Sequence, residues 1–287
     1  MAVDLFGDEI KEDIFLRDKF LEPPFTILDT KQVGWANRKR LWKTIGMQSE
    51  VSREGISVIN NSFDGAKYGR GAMPTVSIFD PALCELMYHW FCPDGGEILD
   101  PFSGGSVRGI VANKLLYKYT GIDIRPEQIE SNKEQAMQIL GAENMPTWLT
   151  GDSEVVLNEF MDNCKDFIFS CPPYLDLEVY SDLQNDLSTK NDKEFEFKYQ
   201  AIINKCYKIL KPEMYAVFVV GDVRDKKGNY RCFPEMTVRC FINAGFKLYN
   251  RAILCQPLGT AMLRADRVFS SGGKLIKVHE DVFIFKK

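Results

Sequence analysis

Along most of the chain, short apolar runs alternate with longer segments in which apolar residues recur at helical spacing. Runs at 97–99, 119–124, 148–151, 166–170, 215–220, 247–255 and 279–286 read as strands. Between them, 107–116, 125–140, 194–210 and 233–244 read as helices, the second of them admitting Pro126 in its first turn, where no amide donor is needed. Strands that alternate one by one with helices predict an α/β fold, with seven strands in a mostly parallel sheet, helices on both faces and an antiparallel closing strand. Upstream, 77–91 carries Leu83, Leu86, Met87 and Trp90 on one face, the spacing of any packed helix, and Pro93-Asp94-Gly95-Gly96 turns it into the first strand. His89 reads as a surface or core residue of that helix. A length of 287 residues suits one domain with appended segments. We therefore expect an N-terminal extension over 1–70 and the main domain over 71–287.

Composition adds limits. No apolar run is long enough to span a bilayer, and the N-terminal stretch is too acidic for a signal peptide. The eight cysteines are scattered in apolar contexts without Cys-x-x-Cys pairs, which predicts reduced thiols, a cytoplasmic setting and no structural metal.

The chemistry concentrates at two strand ends. The first strand runs into Asp100-Pro101-Phe102-Ser103-Gly104-Gly105 before the helix begins. Glycine is needed there because the backbone turns sharply and must approach a ligand with no side chain between. Alone, such a turn also fits a dinucleotide site or a plain structural bend. The second strand ends at Asp123, placed to accept hydrogen bonds from two ribose hydroxyls, although capping of the next helix is a plainer account that can hold at the same time. The third ends at Asp152, whose carboxylate could accept from an adenine amino group. The fourth delivers Cys171-Pro172-Pro173-Tyr174 at its carboxyl end, the edge at which open parallel sheets hold ligands. A polar stretch from Leu175 to Lys193, 19 residues with little apolar periodicity, follows as a lid or as a solvated acidic loop.

The pair of motifs resembles S-adenosylmethionine-dependent DNA methyltransferases acting on adenine N6 or cytosine N4, particularly the compact forms of phages and prophages. The first half is similar to the family's Asp-Pro-Phe-x-Gly-x-Gly/Ser turn and lacks the third spaced glycine of a nicotinamide site; the second is similar to its Asp/Asn/Ser-Pro-Pro-aromatic motif. The resemblance implies a Rossmann-like methyltransferase sheet with S-adenosylmethionine as cofactor. Asp100, Phe102, Ser103, Gly104 and Gly105 would hold its amino acid end, Asp123 the ribose and Asp152 the adenine. The catalytic set would be Cys171, Pro172, Pro173 and Tyr174. In the family, the aromatic ring stacks on a base rotated out of the duplex. The first residue and the first proline's carbonyl accept from the exocyclic amino group, and the methyl group moves by direct displacement.

The sequence departs from that pattern at Cys171, because a thiol is a weak acceptor. Either the Pro172 carbonyl, helped by an acid such as Asp176 or Glu178, carries the polarisation, or activity has been lost. Ser170 should face away. Covalent attack by Cys171 on a pyrimidine is disfavoured, since such nucleophiles follow a proline. An RNA base as substrate and a non-catalytic nucleic-acid-binding subunit are the alternatives.

Charge bears on the partner. Residues 31–70 hold 8 bases against 3 acids and residues 223–277 hold 11 against 3, whereas residues 71–222 hold 24 acids and 12 bases. Phosphate backbones attract such clusters. Candidate contacts to double-stranded DNA are Arg38, Lys39 and Arg40, flanked by Trp35 and Trp42; Arg224, Lys226 and Lys227; and Arg264 and Arg267 in a loop over 257–277. Any one of them is equally an ordinary solvated charge.

Overall fold

Phe167 and Phe169 bury themselves on one face of their strand and Ile168 on the other, as the twofold pleat demands of a strand covered on both sides. The strand belongs to a computed structural model that describes residues 22–47, 57–58, 79–143, 145–259 and 261–287. The expected boundary at 70/71 and the start of the 77–91 segment lie outside these residues.

Strand β1 (Ile27–Asp29) and helix α1 (Val33–Thr44) precede a two-residue strand β2 (Ser57–Val58) and helix α2 (Pro81–Phe91). Then come β3 (Glu97–Asp100), α3 (Val107–Lys114), β4 (Lys118–Asp123), α4 (Pro126–Leu140), β5 (Thr147–Thr150), the single turn α5 (Ser153–Val156), β6 (Lys165–Ser170) and the short β7 (Glu178–Val179). The chain ends with α6 (Asp192–Ile209), β8 (Leu210–Val220), α7 (Phe233–Ala244), β9 (Lys247–Cys255), α8 (Ala261–Gly272) and β10 (His279–Lys286).

The main sheet has the order β1-β9-β10-β8-β6-β3-β4-β5, and β2 pairs with β7 separately. Its strands are parallel except for β10, which runs antiparallel to both β8 and β9. This is the Rossmann-like methyltransferase sheet with eight strands in place of the expected seven. The extra strand, β1, places Ile27, Leu28 and Asp29 beside Ile253, Leu254 and Cys255. Three residues are too few to show alternation, so only the partner strand reveals it. Behind it α1 is fastened to the body, with Trp35 and Trp42 buried.

Two further differences have local causes. The helix expected to end near Leu210 gives way directly to β8, because Leu210 pairs with Lys165; Pro212 and Glu213 (φ 64°) then fall in an irregularity of the ladder. The segment 257–277, expected as a loop, contains α8 between Gly259 and Gly273, and none of its residues is buried. Its apolar residues Met262, Leu263 and Phe269 recur at helical spacing but stand exposed.

The core divides between the faces of the sheet. On one, Leu83, Tyr88, Ile110, Ile129 and Trp148 pack on Phe167, Phe169, Val217 and Val219. On the other, Phe195, Tyr199, Ile203 and Phe241 pack on Ile168, Phe218, Phe283 and Phe285. Asp80 caps α2 through the Ala82 amide with Pro81 in the first turn, and Asn191 with Glu194 forms a capping box on α6. Among the described residues no helix is long and apolar enough to cross a membrane, and no group of three or more His, Cys, Asp or Glu could hold a metal ion.

Candidate active site

The carboxyl ends of β3, β4, β5 and β6 open on one cavity of about 500 Å³, the size of a small-molecule site. One wall is the turn after β3. Gly104 takes φ +47°, left-handed backbone that glycine adopts without strain. The Ser103 amide donates to the Ile122 carbonyl at 2.9 Å, and Asn132 Nδ2 donates to the Gly104 carbonyl at 2.7 Å, so β4 and α4 hold the turn.

Of the residues expected to meet the cofactor, Phe102, Gly104, Gly105, Asp123 and Asp152 line this cavity, whereas Asp100 and Ser103 do not. Asp100 is fully buried. One of its oxygens accepts from Ser170 Oγ at 2.6 Å and the Phe102 amide at 3.2 Å, the other from Arg108 Nε at 2.5 Å and Tyr119 OH at 2.7 Å. Four donors saturate the carboxylate, which corrects its assignment: Asp100 secures the turn from behind and does not reach into the cavity. Ser103 is packed against Gly121, whose Cβ position lies 2.7 Å from Ser103 Cβ. Arg108, which sequence reasoning missed, links Asp100 to the Phe102 and Ser103 carbonyls at 2.7 and 2.8 Å and does line the cavity. Its place in the first turn of the helix after the glycines was the only available signal.

Asp123 lines the cavity, accepts from the Arg125 amide at 2.9 Å and lies 3.5 Å from the Arg125 guanidinium, but it does not cap α4: the cap residue is Arg125, and no side chain bonds the first turn. Asp152 caps α5 through the Glu154 amide at 3.0 Å and accepts from Lys198 Nζ at 2.5 Å. From the stretch 175–193, Leu177, Tyr180, Asn185, Asp186 and Leu187 form part of the wall. Leu175 and Leu187 anchor that stretch in the core.

Cys171, Pro172, Pro173 and Tyr174 line the same cavity. Ser170 turns the other way, to Asp100. The Cys171 thiol donates to the Tyr174 hydroxyl across 3.5 Å, and that hydroxyl donates to Glu280 Oε1 at 2.9 Å. Burial pushes the Cys171 thiol up to about 12; Arg108 opposes the rise and Glu280 adds to it. Burial, with Cys171 and Glu280 adjacent, likewise raises the Tyr174 phenol well above its ordinary value. Both groups are protonated at neutral pH, which leaves no thiolate for covalent attack. The Tyr174 ring packs against Phe233 at 5.8 Å and over Gly221, whose Cβ position is 2.8 Å from Tyr174 Cε2. Asp176, expected as a helper, is ion-paired with Arg231 and half exposed, outside the lining. Of the Glu178 side chain, the other expected helper, nothing is described.

The basic residues divide. Arg38 is buried in a two-pronged pair with Glu85 at 2.7 and 2.6 Å, which corrects its assignment as a phosphate contact. A Trp-flanked basic triplet read as a surface patch because sequence does not show which face of α1 is covered. Lys39 pairs with Asp80 at 2.9 Å beside the cavity, and Arg40 is exposed. Arg224 lies over the Tyr230 ring at 3.7 Å in a loop whose tip exposes Lys226 and Lys227. Arg264 and Arg267 are exposed on α8. The segments holding these five follow the carboxyl ends of β8 and β9, on the cavity's edge of the sheet.

No protein-family model and no curated protein matches the chain. Among solved structures, TrmN from Thermus thermophilus superposes with a TM-score of 0.51 at 16% identity over 73% of this chain, which spans about half of that protein, 49%. The 4+2 cyclase SpnF gives 0.50 at 14% identity, covering 72% of this chain and 81% of its own. A SAM-dependent methyltransferase from Methanosarcina mazei gives 0.47 at 15% identity, covering 74% and 99%. At these identities the likeness is one of fold. A cyclase among the neighbours means the reaction has to be argued from the site itself.

Proposed function

We propose that the chain transfers a methyl group from S-adenosylmethionine to the exocyclic amino group of a base, adenine N6 or cytosine N4, rotated out of double-stranded DNA. The observation that carries this reading is that the Gly104-Gly105 turn and Cys171-Pro172-Pro173-Tyr174, with 65 residues between them in sequence, line a single cavity. A plain proline turn closing a strand gives no reason for that meeting.

The cavity's donor set fits the cofactor. Asp123 accepts from the ribose hydroxyls. Asp152 keeps acceptor sites beyond those given to Glu154 and Lys198, enough for an adenine amino group. The bare backbone at Gly104 and Gly105 admits the amino acid end, with Arg108 beside it. When bound, the cofactor supplies an electrophilic methyl group on a sulfonium sulfur. Pro172 is held rigidly, and its carbonyl accepts no hydrogen bond from the described residues, so it can accept from the target nitrogen and aim its lone pair. The Tyr174 ring offers a stacking face that offsets part of the unstacking cost of a few kcal/mol. Lys226, Lys227, Arg224, Arg264 and Arg267 meet phosphates along the cavity edge. The setting is the cytoplasm, that of the host if the chain is phage-encoded.

The test is incubation with S-adenosylmethionine and unmethylated duplex DNA, then digestion to nucleosides and mass spectrometry. N6-methyladenine or N4-methylcytosine supports the reading; its absence from a protein that binds the cofactor refutes it. Cys171 favours one second reading, a non-catalytic nucleic-acid-binding subunit. Activity gained from none in Cys171→Asp would support that subunit.

A further inference from the structure

The pattern that resembles the amino-methyltransferases requires an acceptor where this chain has Cys171, and the thiol is doubly unsuited. Its proton is directed to Tyr174, and sulfur is a weak acceptor in any case. We infer that Glu280, a residue of β10 remote in sequence from both motifs, is the hydrogen-bond acceptor for the amino group of the substrate base. The inference rests on the amino-methyltransferase reading above and names the group that makes that reading chemically complete.

Glu280 lines the same cavity as Cys171, Pro172 and Tyr174. Its carboxylate is held at both ends, Oε1 by the Tyr174 hydroxyl at 2.9 Å and Oε2 by Gln256 Nε2 at 2.8 Å. An ionised carboxylate has about four acceptor sites, so two remain after these bonds. The register of β10 fixes the residue at the cavity end of the sheet, opposite Leu254 of β9. Oε1 lies one hydroxyl away from the Cys171 sulfur, through Tyr174. The electrostatic influence of Glu280 on both Cys171 and Tyr174 is the expression of that closeness.

The other acids around the cavity are committed elsewhere. Asp186 accepts from the Ser188 amide and hydroxyl and from Ser181. Asp80 takes Lys39, Trp35 and the Ala82 amide. Asp123 and Asp152 follow β4 and β5, on the far side of β3 from β6, about 10 Å or more away at the usual strand spacing. Gly221 contributes by letting the Tyr174 ring lie against the end of β8, which brings its hydroxyl to Glu280. Carboxylate, phenol and thiol form one chain in which the carboxylate, charged and with about two acceptor sites to spare, is the strongest acceptor.

The experiment uses the full chain, S-adenosylmethionine and duplex DNA whose methylated position has been identified. Single-turnover rates are measured for the wild type, Glu280→Gln, Glu280→Ala, Cys171→Asp and the double variant Cys171→Asp/Glu280→Ala. Alongside, dissociation constants are measured without turnover for duplexes carrying the target base or its deamino analogue. We expect Glu280→Ala to slow transfer about tenfold to a hundredfold and to lose the preference for the amino-bearing base, with cofactor affinity unchanged. The near-isosteric Glu280→Gln should lose less, and it carries the same binding test if the alanine variant misfolds. Cys171→Asp should restore transfer in the Glu280→Ala background. Transfer by Glu280→Ala within about twofold of wild type, a preserved preference, or failure of Cys171→Asp to rescue would each overturn the assignment alone. A wild-type protein that binds cofactor and yields no methylated nucleoside would overturn the methylation reading as well.

Discussion

Arg38 of α1 and Glu85 of α2 form a two-pronged ion pair, 2.7 and 2.6 Å, inside the protein, and the Trp42 indole adds a third donor to the same carboxylate at 2.7 Å. The pair fastens the N-terminal helix α1 to α2. Removing one partner leaves a buried charge without compensation, which typically costs about 3–5 kcal/mol. Arg38→Ala should therefore lower the unfolding free energy by about 3 kcal/mol or more in denaturant titration. Its DNA affinity should change only in proportion to the fraction folded; a large drop in affinity in the fully folded variant would restore a phosphate role to Arg38.

The same pair sets an acid limit. Burial alone would raise the Glu85 carboxyl, but His89 at 3.8 Å, the Arg38 guanidinium and the Trp42 indole outweigh it and hold the group below its usual value. A carboxyl depressed in the folded state binds fewer protons than in the unfolded one, so its contribution is complete above the unfolded value near pH 4.3. That contribution fades as pH falls through the folded value. Stability of wild type between about pH 5 and pH 3 should therefore drop more steeply than that of Glu85→Gln, which starts lower. Parallel curves would contradict this origin.

Asp100 and Asp123 end adjacent strands and should behave oppositely. Asp100→Ala strands Arg108 and Tyr119 in the interior and should cost about 3–5 kcal/mol of stability. Asp123→Ala, which loses the bond from the Arg125 amide, should keep its fold within about 1.5 kcal/mol and weaken cofactor binding about tenfold or more in calorimetric titration. Equal effects of the two on cofactor affinity in folded protein would count against the division of roles.

Gly221→Ala places a methyl group 2.8 Å from the Tyr174 ring and 2.7 Å from Lys277 Nζ. The lysine end can swing aside; the ring, pinned by Phe233 and Glu280, cannot move without leaving its stacking position. Turnover should fall toward that of Tyr174→Ala, about fivefold to a hundredfold below wild type, with cofactor affinity nearly unchanged in both. A parallel drop in cofactor affinity would mean that the ring supports the cofactor instead of the base.

Lys226 and Lys227, exposed at a loop tip, should each neutralise a DNA phosphate. Replacing both by Ala should reduce the slope of log affinity against log salt by about 0.9 for every phosphate that is no longer neutralised, equally for all duplex sequences. An unchanged slope would mark them as solvated charges.

The order of strands and helices, the glycine turn and the rigid proline motif were legible because each is local: the pleat has a period of two, the helix 3.6, and glycine and proline declare unusual backbone wherever they stand. Asp123 and Asp152 were legible as strand-end acids on the same grounds. Side-chain direction was not, since whether Asp100 faces the cavity or the core depends on Arg108, Tyr119 and Ser170 arriving from three other elements. Arg38 was misread for the same reason: charge is visible in a sequence, but a buried Glu85 opposite it is not. β1 exists only as a partner to β9, and α8, whose apolar Met262, Leu263 and Phe269 stand exposed, was read as a loop despite their helical spacing. Glu280 lies 106 residues from the tyrosine that holds it, so its place at the site depends on the antiparallel turn of β10 against β8. The sequence alone determined the alternating strands and helices of the main sheet and which edge of it carries the chemistry. Tertiary structure decided which polar side chains face that edge, because in a close-packed interior each such group points toward the partners that satisfy it.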